Sequence, residues 1–432
     1  LHHLERWQNS VLTRAYRIVN SAERSVNNHL RNILLIINPY GGSKKAEKIY
    51  RTVVEPILKL SDSKVQTIYT DRSGHAVQIG KEFDAEKFDV VGCVSGDGTV
   101  HELINGIGLR KDATRVFKKI SISCIPAGSG NALSVNQMGP ENGKNPVLAT
   151  LTLLKGKPLP LDLCSVTQLS QDNQTVERSL SFLSTAFGLM ADLDIGTERL
   201  RWMGDTRFLL GYIWGALKNQ KRSVRLEVQV LDEQKESIHQ NWKNFRDQKS
   251  DSDGNDVCNN EVGQSGMEKE DEGEGLPELV FGDVLRPVSK GWKTIETDVT
   301  SIYAGTLPFM SCDLLEFPVK VQGDGSIDVI IHRSPNWIRT MKCVIGSHVG
   351  SMFRNEDCDY LKTRAFRLTP LRKDSTGLTS DIPGQDGKSY IVVDGEEMEY
   401  RTLQVEIHNR LARVLSLDCQ KLGSIGVPDS IM

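Results

Sequence analysis

Asp97 is the residue type and setting with the most chemistry to offer. It stands in Ser95-Gly96-Asp97-Gly98, between two residues without side chains. A carboxylate there can take the proton of an alcohol while the bare backbone beside it admits a ligand closely. Two further loops have related character: Asn38-Pro39-Tyr40-Gly41-Gly42-Ser43-Lys44-Lys45 and Pro126-Ala127-Gly128-Ser129-Gly130-Asn131-Ala132-Leu133. Neither is GxxxxGK[ST] or GxGxxG. A glycine loop that opens a helix presents free amides to a phosphate. The three together suit phosphoryl transfer, which asks the protein for positioning and charge rather than covalent chemistry. Taken singly, each loop is equally well a turn, and Asp97 equally well a helix cap.

The elements around these loops must bring them together. Ile33-Leu34-Leu35-Ile36-Ile37 is apolar throughout, as in a strand buried on both faces. It runs through the first loop into a helix with Ala46, Ile49, Tyr50, Val53, Val54, Ile57 and Leu58 on one side. Residues 65–70 alternate as a second strand, and residues 76–83 have helical spacing. Residues 88–94 form a third strand ending at Asp97, where Val100, Leu103, Ile104 and Ile107 continue as a helix; residues 120–125 form a fourth. Repeated strand–helix units predict a doubly wound α/β sheet, with its three glycine loops at one edge. From Leu159 the pattern becomes short alternating runs at 158–166, 225–230, 301–303, 327–331, 389–393 and 403–407, which predicts an antiparallel sandwich. The fold class is therefore an α/β, Rossmann-like N-terminal domain over 32–157 and a larger antiparallel β-sandwich over 158–420, preceded by a helical flank, 1–31.

Composition narrows the function classes. A net charge of −3 over 432 residues argues against nucleic acid as a partner. No run of eighteen uncharged apolar residues occurs, so no spanning helix is expected. The chain lacks an initiator Met and reads as starting inside a longer protein. The eight cysteines are scattered without a CxxC pair, a pattern of reduced thiols rather than of a disulfide frame or zinc site. Residues 246–275 are acidic and almost free of apolar residues, and are expected to be a disordered insertion. Residues 208–217, followed by Lys218, Lys221 and Arg222, read as a packing helix; the alternative is a membrane-surface or calmodulin-binding segment. His101 reads as a structural helix residue.

In this order, Asn38-Pro39-x-Gly-Gly, Ser95-Gly96-Asp97-Gly98, the 126–133 loop and Val393-Asp394-Gly395-Glu396 resemble the diacylglycerol/sphingosine kinase superfamily over roughly residues 32–415. Within it the chain is similar to sphingoid long-chain base kinases of fungal type. Asn131-Ala132-Leu133 stands where diacylglycerol kinases more often have Asn-Asp, and Ala186–Asp194 resembles the lipid-recognition segment. The resemblance implies ATP and Mg2+ as cofactors and the primary hydroxyl of a sphingoid base as acceptor. It implies Asp97 as general base, and Asn38, Gly41, Gly42, Thr70, Gly96, Gly98, Glu102, Gly128, Ser129, Gly130, Arg201, Arg207, Asp394, Gly395 and Glu396 at the nucleotide. Asp194, with Asp192 and Ser95, would meet the lipid. Which of the two acids reads the cationic amine stays open, and so do the metal ligands. Tyr40 departs from the basic residue common at its position, and Lys44 or Lys45 would then substitute. A lipid substrate implies peripheral contact with an intracellular or plasma membrane from the cytoplasm.

The competing readings are a diacylglycerol or ceramide kinase of the same superfamily, a NAD kinase with its related Gly-Gly-Asp-Gly loop, and a non-enzymatic lipid- or calmodulin-binding adaptor.

Overall fold

Five apolar residues in a row leave a strand no water-facing side, and Ile33 to Ile37 are all buried in β1 (Asn32–Ile37). In the computed structural model, which describes residues 30–42, 44–170, 175–196, 221–251, 275–334, 336–373, 379–381 and 389–417, β1 lies between β2 (Lys64–Tyr69) and β3 (Val90–Ser95). Beyond β3 comes β4 (Ser121–Pro126), and all four are parallel. The connections are α1 (46–59, with a π turn at Tyr50–Val54), α2 (His75–Glu82), α3 (Asp97–Gly108) and α4 (Ala113–Lys119). After β4 come α5 (Ala132–Met138) and α6 (Pro146–Lys155). Alternate β1 residues face opposite ways. Ile33, Leu35 and Ile37 pack with α1 and α6. Leu34 and Ile36 pack with α2, α3 and α4. Helices on both faces make the sheet doubly wound.

The second part is antiparallel. In chain order it holds β5 (Lys157–Leu169), β6 (Val176–Ser181), β7 (Ser184–Gly188), α7 (Leu189–Gly196), β8 (Arg222–Asp232) and α8 (Lys235–Asp251). Next come β9 (Lys293–Val299), β10 (Ser301–Gly305), β11 (Phe309–Ser311), β12 (Leu314–Leu315), β13 (Ile327–His332) and α9 (Trp337–Ile345). Last are β14 (Cys358–Lys373), β15 (Thr379–Asp381), β16 (Ile391–Val393), β17 (Glu396–Met398) and β18 (Leu403–Ser416). Val166, Phe187, Leu226, Ile302, Val329, Phe366, Val393 and Val405, from eight different strands, meet in one apolar cluster.

β18 belongs to both parts. Its first residues pair antiparallel with β14, it pairs antiparallel with β5 along its length, and near its end it pairs parallel with β4, Arg413 opposite Ser121 and Val414 opposite Ile122. Hydrogen bonding therefore runs unbroken from one part into the other.

One expectation meets a different outcome. The first six residues of the 246–275 insertion complete α8, where Arg246 lies over the Trp242 ring, 5.1 Å from its centre; residues 252–274 lie outside the described residues. Asp192 and Asp194 sit on helix α7, which begins directly after Gly188, at φ 75°, ends β7. β14 was not anticipated: its apolar residues are interleaved with Lys362, Arg364 and Arg367, which hides a strand buried along much of its length. The flank 1–29 and the segment 208–217 lie outside the described residues.

Candidate active site

β1, β3 and β4 end at the same edge, and the ladder runs on into the loops. The Asn38 amide donates to the Val94 carbonyl at 3.2 Å, and the Ala127 amide to the Ser95 carbonyl at 2.9 Å. This brings the three glycine loops into contact. A Cβ on Gly128 would stand 2.4 Å from the Gly96 Cα, and one on Gly42 would stand 3.2 Å from the Gly128 Cα. Only glycines allow this approach. Gly42 also has φ 48°, in the left-handed region.

Neighbouring side chains hold the loops in shape. Asn38 Oδ1 accepts from the Tyr40 and Gly41 amides, both at 3.0 Å, and its Nδ2 donates to Thr99 Oγ1 at 2.9 Å. Asn131, at φ 55°, accepts from the Gly128 amide and donates to the Gly128 carbonyl. Ser95 is buried and donates to the Gly96 carbonyl at 2.9 Å; its hydroxyl is spent on the loop. Ser129 is half-buried. Thr70 is buried where β2 ends, its amide on the Ile37 carbonyl. The turn after it is fastened by Glu102, which accepts from the Gly74 and Ala76 amides at 3.1 Å each. Glu102 thus acts on the Thr70 turn rather than on the glycine cluster.

Asp97 opens α3 and spans two of the loops. Its Oδ2 accepts from the Ala132 amide at 2.8 Å and its Oδ1 from the Leu133 amide at 3.0 Å. It therefore caps α5, not its own helix. A Cβ on Gly130 would touch Oδ2 at 3.4 Å, so this side of the carboxylate is kept clear by a glycine. Burial raises its pKa above the ordinary 3.8, the two amides oppose this, and the charge of Asp394 adds to it.

The late motif forms a lid on this arrangement. Asp394 (φ 52°) and Gly395 (φ 87°) are the two turn residues between β16 and β17, the backbone of a type I′ hairpin. Asp394 Oδ1 accepts from Ser181 Oγ and the Leu183 and Ser184 amides; Oδ2 accepts from the Phe182 amide and from His101 Nδ1 at 2.9 Å. Expected at the nucleotide, Asp394 spends both oxygens on the protein, and so seats the hairpin on α3. This leaves Gly395 and Glu396 exposed, with Glu396 Oε1 3.4 Å from where a Gly98 Cβ would be. His101, read from sequence as structural, is the other half of this joint; Asn105, one turn on, braces it from 3.2 Å. The signal for the hairpin was Asp-Gly directly after the apolar run 391–393, and that for the joint was His101 and Asn105 at helical spacing. Thr99 gave no signal.

On α7, Asp192 accepts from Arg222 Nη2 at 3.0 Å and from the Tyr390 amide at 3.3 Å. The side chain of Asp194, and Arg201 and Arg207, lie outside the described residues. Of the basic residues after 208–217, Lys221 donates to the Ser334 carbonyl and Arg222 lies in β8.

A description of the diacylglycerol kinase catalytic domain matches residues 32–166, from β1 into β5. Over that stretch the chain is similar to the diacylglycerol kinase catalytic domain. Relatives are similar over most of its length. Sphingoid long chain base kinase 5 of Saccharomyces cerevisiae is 31% identical across 91% of this chain, which spans 60% of that kinase. Sphingoid long chain base kinase 4 of Schizosaccharomyces pombe is 29% identical across 89% of the chain and 75% of its own length. The chain thus covers about three fifths of the budding-yeast kinase. A diacylglycerol kinase from Bacillus anthracis superimposes with a TM-score of 0.56 over 90% of this chain and 98% of its own, at 15% identity, which shows a shared fold.

Proposed function

We propose that the chain transfers the γ-phosphoryl group of ATP to the primary hydroxyl of a sphingoid long-chain base. The observation that carries this is the Asp97 carboxylate, held by two amides where three glycine loops converge. Each carboxylate oxygen has two lone pairs. Each gives one to an amide, and the remaining lone pair of Oδ2 points toward the side kept open by Gly130. An alcohol placed there would donate its hydrogen to Asp97 while its oxygen faces the phosphate. As the new O–P bond forms and the bond to the β–γ bridging oxygen breaks, ADP departs and the proton passes to Asp97. Even a raised carboxyl is far more acidic than an alcohol, so the proton moves late, as the phosphorus takes up the oxygen's electrons.

The bare loops and the start of α3 would cradle the phosphates, and Gly98, Gly395 and Glu396 would close over the nucleotide. Arg201 and Arg207 are proposed to neutralise the transferring oxygens. A magnesium ion that keeps its waters and the phosphate oxygens needs only one or two carboxylates. The exposed Glu396 carboxylate beside Gly98 fits that need, and the ion would supply further positive charge to the phosphates. Asp194 or Asp192 would read the ammonium group, which a diacylglycerol lacks. The name shared by the yeast relatives supports this substrate class. No helix among the described residues is long and apolar enough to cross a membrane; peripheral contact is proposed, because the acceptor is a lipid.

The test is labelled ATP with sphinganine, phytosphingosine, ceramide, diacylglycerol and NAD in parallel. The free bases alone should take up label; label in diacylglycerol alone would overturn the assignment. Asp97→Asn should keep nucleotide binding and lose turnover by roughly 10²–10⁴-fold. Unchanged turnover would remove Asp97 from the proton transfer.

A further inference from the structure

Away from the glycine loops, the ends of β13 and β14 carry a second cluster. His332 and Cys358 are directly opposed across the antiparallel pair, so their side chains share one face. α9 lays Cys343 over that face. His332 is 3%, Cys343 1% and Cys358 2% exposed. Cys343 Sγ is 3.3 Å from His332 Nε2, and one imidazole nitrogen and both sulfurs all lie within 4.8 Å of one another.

Beside them is a buried carboxylate that the fold does not otherwise explain. Glu316, 1% exposed, has no hydrogen-bond partner for either oxygen among the described residues. Its segment follows β12, which packs on the 3-10 turn Ser347–Val349 just after α9. It lies within electrostatic reach of both Cys343 and Cys358. A buried acid with nothing to bind is costly, and is found where a cation neutralises it.

We propose that His332, Cys343 and Cys358 bind a zinc ion, with the fourth position open to water and Glu316 beside the site as an outer partner. Ligands bonded to zinc at about 2.0–2.3 Å in a tetrahedron stand roughly 3.3–3.8 Å apart, so the cluster needs only small adjustments around the ion. Two sulfurs and an imidazole select a borderline-soft ion such as zinc over magnesium or calcium. On binding, each thiol loses its proton to solvent and the imidazole gives its lone pair, so two thiolates balance the ion's charge. The Asn355 amide donates to the Cys343 sulfur at 2.6 Å, the kind of outer contact that orients a thiolate ligand. A disulfide between the two cysteines would leave His332 idle and Glu316 still unpaired. The ion would fasten α9 and the 333–357 connection to the sheet, and it has no part in the phosphoryl transfer.

The experiment is metal analysis of the whole chain purified under reducing conditions and dialysed against zinc, then against cobalt. About one zinc per chain is expected, and the cobalt form should show thiolate-to-metal charge transfer and the visible bands of a tetrahedral ion. Cys343→Ser and Cys358→Ser should each lose that stoichiometry. Glu316→Gln, which keeps both thiols, should retain the charge-transfer band and bind roughly 10–100-fold more weakly. A wild-type chain that takes up no zinc overturns the proposal, as does peptide mapping that finds Cys343 disulfide-bonded to Cys358 in the resting protein. Neither readout depends on kinase activity.

Discussion

Asp97 and Asp394 are both aspartates beside glycines, and burial acts on both, yet they are built for different work. At Asp97 burial, helped by the charge of Asp394, outweighs the two amides and raises the carboxyl. Asp394 takes five donors. Burial would push it up, but the hydrogen bond and charge of His101, then Ser181 and the Ser184 amide, hold it below 3.8. Asp394→Ala would strand those donors in the interior and should cost about 3–5 kcal/mol, read from urea unfolding; a loss under about 1 kcal/mol would refute the seating role. The joint also predicts a pH dependence. Burial pulls His101 down, but the hydrogen bond and charge of Asp394, with Glu396, raise it above 6.5. A raised base contributes stability that is complete below 6.5 and fades as pH rises through its folded value. A lowered acid contributes above 3.8 and is lost as pH falls through its folded value. The stability gap between wild type and His101→Gln should therefore be widest between about pH 4 and 6.5 and narrow on the alkaline side. A gap that widens there would contradict the ion pair.

At the scale of elements, the site is a set of strand ends pressed together through glycines. Gly128→Ala is the sharpest probe, because its Cβ would stand 2.4 Å from the Gly96 Cα. The two loops must part, and a shift of about 1 Å near the chemistry costs on the order of 10²-fold in rate. The expected result is a folded chain by circular dichroism with nucleotide affinity and turnover both reduced. A variant with wild-type kinetics would show that the loops need not touch. Much of this scale was legible beforehand. Apolar runs marked β1 and β3, an Ile–Ser alternation marked β4, and glycines marked the loops that follow them. The helix α7 was not legible, since Asp192 and Asp194 alternate as strand residues do and only the left-handed Gly188 ends β7.

For the whole molecule, β18 decides how the parts behave. One strand hydrogen-bonds to β14 at one end and to β4 at the other, with β5 along its length. Neither part can lose it without exposing ladder groups in both. Calorimetry of the whole chain should show a single cooperative transition; two separated transitions would show that the parts unfold independently.

The sequence by itself determined what adjacent residues can settle. Strand, glycine loop and helix follow one another within a few residues, and steric freedom and apolar periodicity are local properties. That was enough for the α/β order, for the three loops at one sheet edge, and for singling out Asp97. Only the tertiary structure decided what depends on residues far apart in the chain. It joined Asp97 to Ala132 and Leu133, turned Asp394 inward onto His101, and took Glu102 away to the Thr70 turn. It also set His332, Cys343 and Cys358 around one point, although their spacing carries no metal motif. Such pairings depend on strand register and helix placement, which the packing of the whole core fixes.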